Sequence, residues 1–403
     1  MRWRNVVAAA KLELLRVLLR VTPALNHAVV AGFPDDEGNS VETVRALARR
    51  LPVYWLTGDR PDRVQWLVPP DEAGYEVRQL PKNSTRAYLA YVTSRYVFFT
   101  HGLYGSPPPP RHKTFVNQWH GDGPKLSKRF GHVRSTYAVA GTRLWGAQRP
   151  MYFGVGEEGV LVTGNPRVDQ FAHPASDENM QQLGLNPHKP LVLWVPTFRR
   201  NEYRGNRLAT ARNWVDAQML SRTDAVRDRA EQMAAVAGRL GVTFAIKPHQ
   251  LDADGYEAMG LPVVNGEDLR HAHTTLYQLL GRSHGLVTDY SSVWTDYLAL
   301  DRPIGFYCPD LDQYEAKPGL NVQGYADLVP GPLLASVSDF EQFLMDCVAE
   351  SAGSRQRRAR SITLVGAETR LGASERLLDA LAIAKPQRRA GRPPVADRRP
   401  ERM

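Results

Sequence analysis

Short apolar runs of strand length recur along this chain, each followed by a polar turn and then by helical periodicity, and this alternation restricts the folds open to it. In the first half the runs are HAVVAGF, VYWLTG, YVFFTHG, TFVNQWHG, YAVAGT and GVLVTG; in the second they are LVLWVPTF, VTFAIKPHQ, LPVVNG, GLVTDYSS and PIGFY. Two series of alternating strand and helix predict an α/β chain with two doubly wound, Rossmann-like parallel-sheet domains. The polar stretch AHPASDENMQQLGLNPHKP puts the expected boundary near residues 172–190, giving domains at 23–180 and 181–384. Ligands of such domains sit beyond the carboxyl ends of the strands, which for two facing domains means the cleft between them.

Composition narrows the class. With 43% hydrophobic and 23% charged residues over 403 positions, the chain reads as soluble and globular. Its two cysteines, Cys308 and Cys347, make neither a disulfide framework nor a metal-spaced cluster, so a reducing compartment is expected. No apolar run reaches the roughly 18 to 20 residues of a membrane span, and the first residues lack a signal peptide's apolar core, so the default expectation is cytoplasmic.

The net charge of +9 sits at the two ends. Residues 1–20 carry five basic residues and one acidic, residues 385–403 carry seven and two, and the remainder balances at 39 against 39. A nucleic-acid binder would concentrate basic charge on a folded face, so that class is disfavoured. The proline-rich basic segment 385–403 is expected to be disordered. Residues 1–22 instead show helix periodicity, with Trp3, Val7, Ala10, Leu14, Val17 and Val21 on one arc and Arg2, Arg16 and Arg20 on another. Such a basic amphipathic helix suits an anionic membrane surface, and equally suits packing on its own domain.

The expected strand ends carry the chemistry. NQWHGDGPK presents His120, Asp122 and Lys125; TGNPRVD presents Thr163, Asn165, Arg167 and Asp169; VPTFRR presents Thr197, Arg199 and Arg200. IKPHQ adds Lys247 and His249, and VTDYSS adds Thr288, Asp289, Ser291 and Ser292. Singly, each has an ordinary explanation as turn chemistry or a helix cap. Together, cations, hydroxyls and a helix start at one end of the sheets point to anion recognition. Competing motifs fall away: GRSHG at 281–285 follows a helix and precedes a strand, the reverse of a nucleophile elbow. The acidic triplets at 252–254 and 310–312 are short enough to arise by chance, and no P-loop, HExxH or GxGxxG occurs.

WHGDGPK, TGNPRVDQF, VLWVPTFR, FAIKPHQ and VTDYSSVWTDYLALDRPIGFYCPDLDQY, followed by PGP at 330–332, resemble the CDP-glycerol glycerophosphotransferases of teichoic acid synthesis over roughly residues 95–335. The resemblance implies a GT-B-like fold and action at the cytoplasmic face of a membrane, with glycerol phosphate passing from CDP-glycerol to a polyprenyl-linked glycopolymer and CMP released. It makes His120 the candidate general base and His249 a partner of the donor diphosphate. Arg167, Thr197, Arg199, Lys247, Thr288, Ser291 and Ser292 become candidate donor-binding residues, with Asp289 orienting a hydroxyl or bonding the glycerol. Lys125, Asp169 and Asp296 are auxiliary candidates. No cofactor or metal is required by this scheme.

Two departures from the family pattern bear on specificity. Asp122 stands in WHGDGPK beside the candidate base, where it would orient His120 or alter acceptor choice, and Lys317 stands where the family carries an arginine. Lysine keeps the charge and loses the bidentate fork. CDP-ribitol therefore remains an alternative donor. The short chain favours a priming or short-chain enzyme over a polymerase. Two other classes stay open: a nucleotide-sugar glycosyltransferase, and a membrane-docked polymer-binding protein without turnover.

Overall fold

The computed structural model describes residues 2–58, 64–69, 74–126, 130–197, 220–248, 261–316 and 319–384, with no side-chain description for 2–8, 130–132 and 220–228. Of the residues singled out in the sequence, Arg199, Arg200, His249, Lys317, the 252–254 triplet and the tail 385–403 lie outside these residues.

Thirteen strands are described: β1 (Leu25–Ala31), β2 (Val53–Thr57), β3 (Val77–Pro81), β4 (Ser94–Phe99), β5 (Thr114–Asn117), β6 (Phe130–Arg134), β7 (Tyr137–Ala140), β8 (Phe153–Gly154), β9 (Val160–Val162), β10 (Leu191–Trp194), β11 (Thr243–Ile246), β12 (Gly285–Thr288) and β13 (Ile304–Phe306). Seven form one sheet in the order β3-β2-β1-β4-β5-β7-β9, four form a second in the order β11-β10-β12-β13, and β6 pairs with β8. Every pairing is parallel.

The apolar runs are continuous because both faces of each sheet are covered. In β1, Ala28 and Val30 enter one core while Val29 and Ala31 enter the core on the opposite face. In the second sheet Leu193 faces one core and Val192 and Trp194 the other. Ten of the eleven expected runs are strands. LPVVNG is not: its backbone makes only an isolated bridge from Val263 to Ile246. Three strands went unread, β3 (VRQLP), β6 and β8. In β3 no residue is buried, so the apolar signal is absent.

Both ends of the chain add to the expected division. The helix Ala373–Ala380 leaves the second series, and Leu377, Leu378 and Ile383 join the core formed by β1, β2 and β4. The segment 181–384 therefore gives its last helix to the first sheet. At the other end, Arg2–Val21 is helical as expected, but Leu15 and Leu19 are its buried residues, packed against the helix Thr85–Thr93 and the first sheet. Ala10, Leu14, Val17 and Val21, the arc read as one apolar face, are exposed.

Candidate functional site

β5 delivers the chain at its carboxyl end into a loop that carries His120. This loop is unusually bent: Trp119 has φ 49° and Gly121 φ 127°. Glycine is needed at 121 for space as well as conformation, since a Cβ there would meet Arg167 Nη2 at 2.2 Å.

Both halves of the chain hold the loop. Asn39, in the helix Gly38–Ala48, donates from Nδ2 to Trp119 O at 3.2 Å, and Arg167 Nη1 donates to His120 O at 2.7 Å. From beyond the second sheet, Thr295 Oγ1 donates to Asp122 O at 3.1 Å. Asn321 donates from its backbone N–H to Pro124 O and from its side chain to Gly123 O and Lys125 O, and Trp145 Nε1 donates to Asn321 Oδ1. Ser292 lies so close that a Cβ on Gly123 would come within 2.9 Å of its Cβ. The position of His120 thus depends on contacts from both sheets.

His120 stacks on His101, with ring centroids 4.7 Å apart and planes 4° from parallel, and packs against Trp119 at 4.1 Å. Crowding by protein, then the neighbouring His101, Arg167, Arg149 and Lys125, push its pKa well below the usual histidine value. A neutral imidazole at neutral pH is the form a general base requires. Next to it is a cavity of about 140 Å³, whose lining includes His120, Lys125, Gln148, Tyr290, Ser291 and Ser292.

The other candidates separate into two groups. Lys125, Ser291 and Ser292 join His120 at this cavity, and Lys247 stands at the end of β11 with Nζ on Pro248 O and its pKa lowered by burial. The remainder are committed to structural bonds. Thr288 Oγ1 donates to Val195 O, and Asp289 accepts from the backbone N and Oγ1 of Thr197, which ties the ends of β10 and β12 together. Thr288, Asp289 and Thr197 are buried, and these bonds are interior ties. Asp169 accepts from three successive N–H groups, those of Gly372, Ala373 and Ser374, and so anchors the returning C-terminal helix.

Arg167 and Asp296 bond each other. Arg167 donates from Nε and Nη2 to Asp296 at 2.9 and 2.6 Å, while Tyr277 Oη and Asn165 Nδ2 complete the carboxylate's partners at 2.5 and 2.7 Å. Burial opposes charge on Arg167, but Asp296, Tyr277 and Glu37 outweigh it and raise its pKa. The guanidinium therefore joins the two halves and holds the backbone at His120. Asp122 is not bonded to the His120 ring through its carboxylate in any contact described. Its carboxylate turns inward to the N–H groups of Gly141 and Thr142, to Thr142 Oγ1 and to the buried Arg149.

Sequence reasoning missed His101, Asn39, Arg149, Tyr277 and Asn321. None lies in a motif except His101, whose run YVFFTHG ends at the same edge of the sheet as WHG and offered the one available signal. Among the described residues no group of His, Cys, Asp and Glu could hold a metal, and no helix is long and apolar enough to cross a membrane.

Two large parallel sheets with the His120 loop held between them define an α/β protein whose candidate site lies at the strand ends. The chain belongs to the CDP-glycerol:poly(glycerophosphate) glycerophosphotransferase family, whose pattern it matches over residues 134–382. Among its relatives are a teichoic acid poly(glycerol phosphate) polymerase of Staphylococcus epidermidis, 24% identical over 63% of this chain, and a teichoic acid ribitol-phosphate primase of Bacillus spizizenii, 30% identical over 46%. The matches span 37% and 44% of those relatives' own lengths. In fold the chain is similar to the wall teichoic acid polymerase TagF, at TM-score 0.65 and 18% identity over 94% of this chain and 95% of that one. It is also similar to a UDP-GlcNAc 2-epimerase of Neisseria meningitidis, at TM-score 0.51 and 12% identity over 89% and 100%.

Proposed function

We propose that the protein transfers a phosphopolyol, glycerol phosphate from CDP-glycerol in the first instance, to a hydroxyl of a membrane-linked glycopolymer intermediate. The observation that carries this reading is His120, held neutral beside a cavity lined by Lys125, Ser291 and Ser292. At about 140 Å³ the cavity is well below the roughly 300–1,000 Å³ of sites that enclose a whole drug-sized ligand, and it suits a phosphopolyol fragment better than a nucleotide. The nucleoside would then extend along the second sheet toward Lys247.

The chemistry follows from those positions. The acceptor O–H gives its proton to the His120 imidazole as its oxygen bonds to the β-phosphorus of the donor. The bond from that phosphorus to the bridging oxygen breaks, and CMP leaves with the electron pair. Lys125 and Lys247 offset growing negative charge, while the Ser291 and Ser292 hydroxyls donate to phosphoryl oxygens. No resident cofactor or metal is needed in this scheme, so activity is expected to survive a chelator. Names among the relatives include glycerol- and ribitol-phosphate enzymes, so CDP-ribitol is the second donor to test.

The exposed arc of Leu14, Val17 and Val21, with exposed Arg20 on the same helix and exposed Arg86 and Leu89 on the helix it packs against, supports peripheral docking on the anionic inner face of the membrane. The decisive assay is CMP release from CDP-glycerol and CDP-ribitol with a synthetic lipid-linked disaccharide as acceptor, for wild type and His120→Ala. Acceptor-dependent CMP that disappears in the variant supports the reading. Wild-type silence with both donors, or full turnover in His120→Ala, would refute it.

A further inference from the structure

Phe33 stands just past the carboxyl end of β1 and is 67% exposed, although nearly every other large aromatic of the first sheet is packed away. Its ring meets His101 edge-on, with centroids 5.6 Å apart and planes at 76°, and His101 in turn stacks on His120 at 4.7 Å. Phe33, His101 and His120 thus form a ladder of exposed rings that runs outward from the candidate base along the cleft lip. The backbone holds its outer end in place, since Phe33 N–H donates to Thr100 Oγ1, which also bonds His101 Nδ1.

Two carboxylates follow directly. Asp35 accepts from Gly58 N–H and Lys82 Nζ, and Asp36 lies 3.2 Å from Arg270 Nη1 across the cleft. An exposed aromatic face beside carboxylates is matched to a pyranose. A sugar ring has an apolar C–H face to lay on the aromatic and a rim of hydroxyl donors for acceptor-only oxygens.

We propose that Phe33 and His101 form an acceptor subsite for a pyranose ring, the second ring of a glycan whose reacting hydroxyl lies at His120. This rests on the proposed transferase reading for its purpose, though not for the binding itself. It places glycan recognition on the half that carries the base and leaves the second half to the nucleotide.

The test is a fluorescence titration of the full chain with maltose and with N,N′-diacetylchitobiose, using Trp119, whose ring lies 5.3 Å from His101, as the nearby reporter. Saturable binding of one disaccharide is expected, weakened roughly tenfold by Phe33→Ala and restored by Phe33→Tyr, with CMP affinity and melting temperature unchanged. No saturable binding of either sugar by wild type would overturn the proposal. So would loss of CMP affinity in Phe33→Ala, which would make the ring a base platform. Disaccharide binding without CMP release from either CDP-polyol would keep the subsite and remove the transferase reading. Normal turnover with an unaltered acceptor KM in Phe33→Ala would do the opposite.

Discussion

Arg167 separates a ligand-binding arginine from a structural one, and Arg167→Lys is the substitution that distinguishes them. Lysine keeps the charge, so a residue that simply neutralises phosphate would lose modest donor affinity and little else. In the structure the guanidinium works as a fork: Nε and Nη2 serve Asp296 while Nη1 serves His120 O. One ammonium cannot reproduce that geometry. Hydrogen bonds to charged groups contribute about 1.5–3 kcal/mol each, so losing part of the fork should lower stability by about that amount. Full removal in Arg167→Ala leaves the Asp296 carboxylate buried without its cation, which costs roughly 3–5 kcal/mol. With the His120 carbonyl released, displacement of the imidazole by about 1 Å is enough for a loss of about 10²-fold in kcat. The assays are urea denaturation and steady-state turnover with the donor varied. Reduced stability and a lower kcat at nearly constant donor KM are expected. A raised donor KM with unchanged kcat and stability would return Arg167 to the role its motif suggested and refute the bracing argument.

Three further outcomes follow from the same contacts. Because the His120 pKa is depressed, the imidazole is neutral at neutral pH and protonates only well below pH 6.5; kcat/KM should fall on that acid limb, and Lys125→Gln should move the limb upward by removing one positive neighbour. Glu37 and Glu42 are buried and pushed up to about 7, mainly by burial, so their charged forms weaken the fold above that pH. Each has a folded pKa above its unfolded one, so stability is fullest below about 4.5 and lost as pH rises through about 7; a Glu37→Gln, Glu42→Gln double variant should melt higher than wild type at pH 8 and lose the advantage near pH 5. Replacing Leu14, Val17 and Val21 by serine leaves Leu15 and Leu19 packed, so melting should hold while sedimentation with anionic liposomes falls; equal sedimentation would remove this face as the anchor.

The strands were legible because parallel strands covered on both faces must be apolar throughout, and that signal weakens wherever a strand is only partly covered. VRQLP is such a case: β3 pairs only with β2 and carries Arg78, Gln79 and Pro81, so its composition resembles a loop. The N-terminal helix is a subtler case. Its periodicity was genuine, but leucines and valines occupy both sides, and only contact with the helix Thr85–Thr93 decides that Leu15 and Leu19 go inward. The motifs reach the candidate site and do not assign its roles. TDYSS and GNPR reach the strand ends, where a phosphate ligand and a structural tie call for the same residue types: Thr288 and Asp289 turn inward to β10, while Ser291 and Ser292 two residues later reach the cavity. Position along a turn, which a sequence pattern does not encode, decides between the two. The same holds for His120, whose neighbours Asn39, Arg167, Thr295 and Asn321 come from segments up to 201 residues away and converge only when both sheets are assembled. The loop that carries His120 is bonded from both halves, so its position holds only while the halves are together.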